Sequence, residues 1–262
     1  MNNHIARIVV KIGTSTLAHA TGLVNLRNLE NLVKALSDIK NMGYDLILVS
    51  SGAIGVGVGK LGLPERPTDV PSKQAAAAVG QSALMYLYDQ HFSEYNHTVA
   101  QVLLTNDVLD DAVRAENVKN TFSKLSEMGA IAIVNENDTV ATEEIVFGDN
   151  DTLSAVVSTI VEADKLIILS DIEGLYDKNP REYENATLIS DVYEINDDIR
   201  AMAGEAGSRL GSGGMITKIR AASIATAAGI DTYIIYGLNP ALLYEIIEGR
   251  PAGTHFHKKK ED

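Results

Sequence analysis

The chain reads Ala130-Ile-Ala-Ile-Val134 near its middle and continues at once as Asn135-Glu-Asn-Asp138. The first part is short, apolar and β-rich, which predicts a buried strand. The amides and carboxylates therefore lie where that strand ends. Because open α/β sheets bind ligands at the carboxyl ends of their strands, this junction predicts both the fold class and the position of a ligand site.

A second polar cluster follows closely, at Gly148-Asp-Asn-Asp151. Residues 152–161 carry apolar side chains at helical spacing, so Asn150 or Asp151 is expected to cap a helix. The free amides and dipole at that helix end favour an anion. Each residue alone is an ordinary turn or cap residue, but two such clusters so close together favour a functional site.

Strand-like and helix-like segments alternate along the chain on both sides of this junction. Apolar strands are predicted at 6–12, 45–49, 98–104, 130–134, 165–169, 231–235 and 253–256, the last at a sheet edge. The alternation predicts an α/β fold, a three-layer αβα sandwich with an open, mostly parallel central sheet. In the predicted helix 72–92, the small residues 75–78 indicate close helix packing.

Composition narrows the function. The formal net charge of −13 argues against nucleic acid as a partner, and an anionic substrate would need lysines or backbone amides placed locally. The absence of cysteine excludes disulfides, a thiol nucleophile and zinc–thiolate sites. With no run long enough to cross a bilayer and no signal-peptide core at the N-terminus, we expect a cytoplasmic protein and no membrane partner.

Two lysines stand beside glycines, where an anion could bind. Lys11 interrupts the first strand just before Gly13, which lets a phosphate approach the backbone. Lys218 lies in the first turn of a helix that follows the loop Gly211-Ser-Gly-Gly214, and it opposes the helix dipole, so an anion is expected there. Either lysine could instead simply extend into solvent.

Other motifs are less specific. Ser51 is expected to cap the helix after the second strand, and the glycines at 52, 55, 57 and 59 only loosely resemble a dinucleotide fingerprint. Asp171, with Gly174 and Tyr176 nearby, suits a ribose or base as well as it suits an ordinary turn. No acidic residue lies at metal-ligand spacing from the alternating histidines 255 and 257, which argues against a histidine-based zinc site.

The constellation supports handling of anions without a dedicated nucleophile or base. Phosphoryl transfer depends mostly on positioning and charge neutralisation, and a carboxylate acceptor needs no proton removed. Lysines from opposite sides, together with Mg²⁺, would offset the repulsion between such an acceptor and the γ-phosphate of ATP.

These motifs together resemble the amino-acid kinase family, in family order and across nearly the whole chain. The matching stretches are Val10-Lys-Ile-Gly-Thr-Ser15, Ser51-Gly-Ala-Ile-Gly55, Ser72-Lys-Gln74, Ala78-Val-Gly-Gln81, Leu103-Leu-Thr105, Asn135-Glu-Asn-Asp138, Gly148-Asp-Asn-Asp151, Ala163-Asp-Lys165, Gly174-Leu-Tyr176 and Gly213-Gly-Met215 with Thr217-Lys218. The resemblance is greatest to members that use ATP and Mg²⁺ to phosphorylate the γ-carboxylate of L-glutamate, the first step of proline biosynthesis.

The resemblance also implies roles for individual residues. Lys11, Lys218 and Asp151 would be catalytic, with Asp151 orienting the lysines, and Ser51, Gly52, Asp138 and Asn150 would bind glutamate. The residues implied to bind ATP are Lys11, Gly13, Ser170, Asp171, Tyr176, Ser212, Gly213, Gly214, Met215, Ile216, Thr217 and Lys218. No protein ligand to a metal is implied, since ATP would carry the Mg²⁺.

By the same resemblance, one kinase domain spans 1–262, with an amino-acid lobe at 1–164, a nucleotide lobe at 165–262 and no PUA domain. A homo-oligomer, feedback inhibition by proline through the loop 142–148, and transfer of the product to glutamate-5-semialdehyde dehydrogenase are expected. Three alternatives remain at this stage. They are a family member acting on N-acetylglutamate, aspartate or carbamate, an NAD-dependent oxidoreductase, and a non-catalytic amino-acid sensor.

Overall fold

A computed structural model describes residues 5–19, 21–105, 108, 111–140, 150–204 and 214–259. Its strands form one sheet in the order β3-β4-β2-β1-β5-β7-β8-β6. Their bounds are β1 Arg7–Ile12, β2 Asp45–Ser50, β3 Val99–Leu104, β4 Ile131–Glu136, β5 Lys165–Ser170, β6 Asp191–Val192, β7 Asp231–Tyr236 and β8 Thr254–Phe256. All neighbouring strands are parallel except β7 and β8.

Helices cover both faces of the sheet, which confirms the predicted αβα sandwich. Their bounds are α1 Thr14–Leu17, α2 Leu26–Asn41, α3 Ala53–Leu61, α4 Val70–Ser93, α5 Ala112–Glu127, α6 Asn150–Ile160, α7 Asp197–Gly204, α8 Met215–Ala227 and α9 Leu242–Ile247. Side chains of a strand alternate between the faces, so Val9 packs in one core and Ile8 and Val10 pack in the other. None of these helices combines the length and apolarity that a bilayer crossing requires.

The central strands end together at one end of the sheet, and polar residues lie at these carboxyl ends. Ile12 at the end of β1 is in register with Ser50 of β2 and with Leu169 of β5. Glu136 ends β4 on the far side of β2. The strands are buried on both faces because their residues are mostly Val, Ile and Leu, and this apolar character is typical of parallel sheets.

Close packing of α3 against α4 holds the segment after β2 in place. A Cβ on Gly80 would lie 1.8 Å from the carbonyl oxygen of Ala53, and one on Gly57 would lie 1.8 Å from that of Ala76. Ala76 and Ala77 are buried. The close packing predicted from residues 75–78 is therefore confirmed, and the two helices approach because their contact residues are small.

Three local predictions were wrong. Gly52, not Ser51, is the N-cap of α3, and its φ of 98° is a left-handed conformation that favours glycine. Asn150 and Asp151 are the first two residues of α6 rather than its cap. Strand β8 is not at the edge, because the short β6 pairs with it on the outside.

Candidate active site

The site is built around a buried aspartate with a lysine on each side. Oδ1 of Asp151 lies 2.5 Å from Nζ of Lys11, and Oδ2 lies 3.1 Å from Nζ of Lys218. Asp151 is fully buried, and the two lysines are only 6% and 7% exposed. Residues from β1, α6 and α8, which are far apart in the sequence, therefore form one ionic cluster, as the prediction required.

Charge neutralisation explains why this cluster is tolerated. Burial alone would raise the pKa of Asp151, but Lys11 and Lys218 outweigh it and lower the pKa to about 2. Thr217 also donates a hydrogen bond to Oδ2 of Asp151, at 2.7 Å. Two ammonium groups around one carboxylate leave a local excess of positive charge, which suits an anion such as a phosphate chain.

Glycines give access to these ammonium groups. Gly13 follows β1, and a Cβ placed on it would lie 3.5 Å from Nζ of Lys11. Gly214 is the N-cap of α8, and no atom of the described residues lies within 4 Å of where its Cβ would be. Both backbones are therefore free of side chains beside the lysines, as binding of a phosphate requires.

An amide cluster lies beside the lysines, at the ends of β2 and β4. Nδ2 of buried Asn150 lies within hydrogen-bonding distance of the Ser50 carbonyl at 2.8 Å, Ser51 Oγ at 3.0 Å and Asn135 Oδ1 at 2.7 Å. Asn135 in turn donates to Gln81 Oε1 on α4, at 2.8 Å. An amide nitrogen has two hydrogens, so these acceptors hold Asn150 in one orientation, beside predicted glutamate ligand Ser51.

Asp138 follows β4 and is half-buried. Burial raises its pKa to about 6, and the positive charge of Arg66 opposes the rise. At neutral pH the carboxylate is mostly ionised, yet it is poorly solvated. A partly buried carboxylate of this kind gains from a cationic partner, and the α-ammonium group of an amino acid is such a partner.

The predicted nucleotide residues divide between described and undescribed parts of the chain. Ser170 ends β5, and Asp171 accepts a hydrogen bond from Arg181 Nη2 at 3.0 Å. Tyr176 bonds to Glu173, and burial raises its pKa to about 12. Met215 is buried and Ile216 is exposed in the first turn of α8. Ser212, Gly213 and the loop 142–148 lie outside the described residues.

Sequence reasoning missed some residues of the site. Asn135 and Gln81 lie within the quoted motifs, but neither was assigned a role, although together they orient Asn150. The ion pair between Arg181 and Asp171 could not be predicted from the sequence, because nothing in the spacing of residues 171–181 distinguishes this segment from a surface loop. The two lysines and Asp151, in contrast, come together as expected.

Comparison with known proteins agrees with this geometry. The model of the Amino acid kinase family matches residues 6–236. A glutamate 5-kinase of Clostridium perfringens is 55% identical, with 97% of this chain and 96% of the relative covered. A glutamate 5-kinase of Listeria innocua is 50% identical, with 98% and 94% covered.

Solved structures show the same fold at low identity. Carbamate kinase from Giardia lamblia bound to AMP-PNP superposes with a TM-score of 0.67 at 17% identity, covering 98% of this chain and 99% of that one. UMP kinase from Bacillus anthracis gives a TM-score of 0.66 at 14% identity, covering 97% and 96%. These structures show the fold, and the family model together with the sequence identities establishes that the chain belongs to the amino acid kinase family.

Proposed function

We propose that this chain transfers the γ-phosphoryl group of ATP to the γ-carboxylate of L-glutamate, giving L-glutamyl 5-phosphate and ADP. The observation that carries this is the buried Lys11–Asp151–Lys218 cluster, at the sheet edge where the amide cluster also lies. The high identity over nearly the full length of the glutamate 5-kinases supports the same substrate pair.

The two lysines would make the main contribution to catalysis. A carboxylate attacks as an anion and needs no base, so the barrier comes largely from its repulsion by the γ-phosphate. Lys11 and Lys218 approach Asp151 from opposite sides, so their ammonium groups can neutralise the transferring group. Asp151 keeps both of them in position, since its low pKa leaves it ionised at any physiological pH.

The remaining residues would position the substrates. Asn150 and Ser51 would bind the glutamate carboxylates, and ionised Asp138 would bind the α-ammonium group. Ser170 and Asp171 would contact the nucleotide, together with the segment 212–218. The amino-acid lobe at 1–164 and the nucleotide lobe at 165–262 thus remain the division that we propose.

The donor atoms of the site indicate how Mg²⁺ would bind. Both carboxylate oxygens of Asp151 already face ammonium groups, so the cluster of Asp151 with its two lysines suits a phosphate chain better than a bare cation. Mg²⁺ commonly binds through substrate phosphates with few protein ligands, and we propose that it enters on ATP. When bound it would neutralise phosphate charge, while the lysines do so from the protein side.

The physiological setting is part of the same proposal. We expect a cytoplasmic homo-oligomer, inhibition by proline near the glutamate site, and delivery of the product to glutamate-5-semialdehyde dehydrogenase. Inhibition can be measured by titrating proline at several glutamate concentrations. A rise in the apparent KM for glutamate supports it, and unchanged rates at high millimolar proline would reject it.

Trapping of the product tests the main proposal. Acyl phosphates react with hydroxylamine to give coloured hydroxamates, so the chain is incubated with MgATP, hydroxylamine and one acid. The acids are L-glutamate, N-acetylglutamate, L-aspartate and none. Colour with L-glutamate alone supports the proposal. Colour with another acid keeps the chemistry but changes the substrate, and no colour from folded, ATP-binding protein would point to a sensor.

A further inference from the structure

Two histidines and an aspartate lie close together at the end of the sheet opposite the lysine cluster. His255 lies on β8, in register with Asp191 on β6 and Tyr233 on β7, and His257 follows two residues later on the same face. Lys165 and Asp231, which begin β5 and β7, lie at this end of the sheet. The cluster therefore lies at the amino ends of the parallel strands, whereas the proposed active site lies at their carboxyl ends.

The donor atoms of the three residues already lie close together. Nε2 of His257 is 2.8 Å from Oδ1 of Asp191, and one donor from each of the three residues lies within 4.8 Å of the others. In the tetrahedral geometry usual for Zn²⁺, donors about 2.1 Å from the ion lie about 3.4 Å from one another. A side-chain rotation that closes a gap of at most about 1.4 Å would therefore complete the set.

Asp231 prepares His255 to act as a ligand. Its Oδ1 lies 2.9 Å from Nε2 of His255 and also accepts from the backbone N–H of Lys258, at 3.2 Å. When Nε2 donates to this carboxylate, Nδ1 is left unprotonated and able to bind a cation. Histidine ligands of metals commonly donate their other ring N–H to a carboxylate in this way.

Aromatic packing holds both imidazoles in place. Tyr233 stacks on His255 and Tyr193 stacks on His257, each with ring centroids 4.2 Å apart, and the two imidazoles are 3.7 Å apart. The three side chains remain 22–46% exposed, so water can fill the other coordination positions.

We propose that His255, His257 and Asp191 bind a divalent transition-metal ion of the Zn²⁺ class, which fastens β6 to β8. Imidazole with carboxylate selects such ions over Mg²⁺ and Ca²⁺, which prefer oxygen ligands alone. The role is structural, because β6 and β8 are only two and three residues long and have few backbone hydrogen bonds. This site corrects the expectation from sequence that the histidines lack an acidic partner.

Calorimetric titration of the metal-free, untagged chain with ZnCl₂ tests the proposal. The expected result is one equivalent bound at about pH 7.5, where imidazole is neutral. His255→Gln and His257→Gln should each weaken binding by at least about tenfold. Asp231→Asn should weaken it by about 10–100-fold with the stoichiometry retained, as for a residue that orients a ligand. His91→Gln, a histidine on α4 far from the cluster in sequence, is the control and should bind like the wild type.

Two further measurements identify the ligands and separate this site from catalysis. With Cu²⁺ as the probe, the EPR spectrum should show coupling to imidazole nitrogen that is lost in His257→Gln. The same variant, checked for folding by circular dichroism, should keep its hydroxamate activity. Absence of stoichiometric Zn²⁺ binding by the wild type, or binding by both histidine variants as tight as that of the wild type, would overturn the proposal.

Discussion

Asp151→Asn is the substitution whose consequences follow most directly from the structure. The change removes the carboxylate charge that lies within 3.1 Å of Nζ of both Lys11 and Lys218, and leaves two ammonium groups almost fully buried. The pKa of Asp151 falls from 3.8 to about 2. That depression corresponds to about 2 kcal/mol of stability.

The sign of this contribution follows from linkage. Because the pKa is lower in the folded state, the stabilisation is fully present above about pH 4 and is lost as the pH falls through about 2. Removing one partner of a buried ion pair typically costs 3–5 kcal/mol. We therefore expect Asp151→Asn to lower the free energy of unfolding at neutral pH by about 3 kcal/mol, measured by urea titration of the free protein.

Two further measurements and one control variant test the role of Asp151. In the double variant Asp151→Asn with Lys218→Met, one of the two buried ammonium groups is removed as well, so the protein should be at least about 1 kcal/mol more stable than additivity predicts. Saturating MgATP should stabilise Asp151→Asn more than the wild type, because its phosphates supply the missing negative charge. Glu127→Gln, which breaks an exposed ion pair with Lys124, should change stability by less than about 0.5 kcal/mol. Strictly additive effects, or an Asp151→Asn protein as stable as the wild type, would refute the account.

Other substitutions test the proposed roles separately. Lys218→Ala should lower kcat by orders of magnitude in a protein that circular dichroism shows to be folded; near-normal turnover would remove this lysine from the mechanism. Asp138→Ala should raise the KM for glutamate and leave that for ATP unchanged. Because the pKa of Asp138 is about 6, the wild-type KM for glutamate should also rise as the pH falls below that value, a trend that the variant should lack. Gly80→Ala places a Cβ 1.8 Å from the carbonyl oxygen of Ala53 and should destabilise by about 1–3 kcal/mol or more, measured by urea titration. Ala78→Ser, at an exposed position of the same helix, is its control.

Predictions from local pattern succeeded where burial and spacing act over a few residues. The strands around Val9, Leu48 and Ile133 are continuous apolar runs, and the sheet requires such runs because it is covered on both faces. The helix caps were less predictable. Ser51 has the side chain of a typical cap, but the chain leaves β2 through a left-handed turn at Gly52, and backbone geometry at that turn decides the cap.

The residues of the site also divide into those that local sequence predicts and those that it does not. Lys11 and Lys218 could be identified from sequence because each stands beside glycines at the end of a predicted element, where a cation meets exposed backbone amides. The hydrogen bonds from Asn135 to Gln81 and from Asn150 to Asn135 could not be identified, since a side-chain amide has no preferred partner along the sequence. Only the packing of α4 beside the end of β4 brings those amides within 2.8 Å.

The sequence by itself determined the αβα architecture, the parallel character of the sheet and the edge at which polar residues collect, because each depends on local hydrophobic period and on turn residues. Tertiary structure alone decided which groups pair. It placed Asp151 between two lysines from distant segments, and it brought Asp191 beside His257, 66 residues further along the chain. Electrostatic and ligand-binding contacts depend on distances of a few ångströms in space, and spacing along the chain does not encode those distances until the strand order is known.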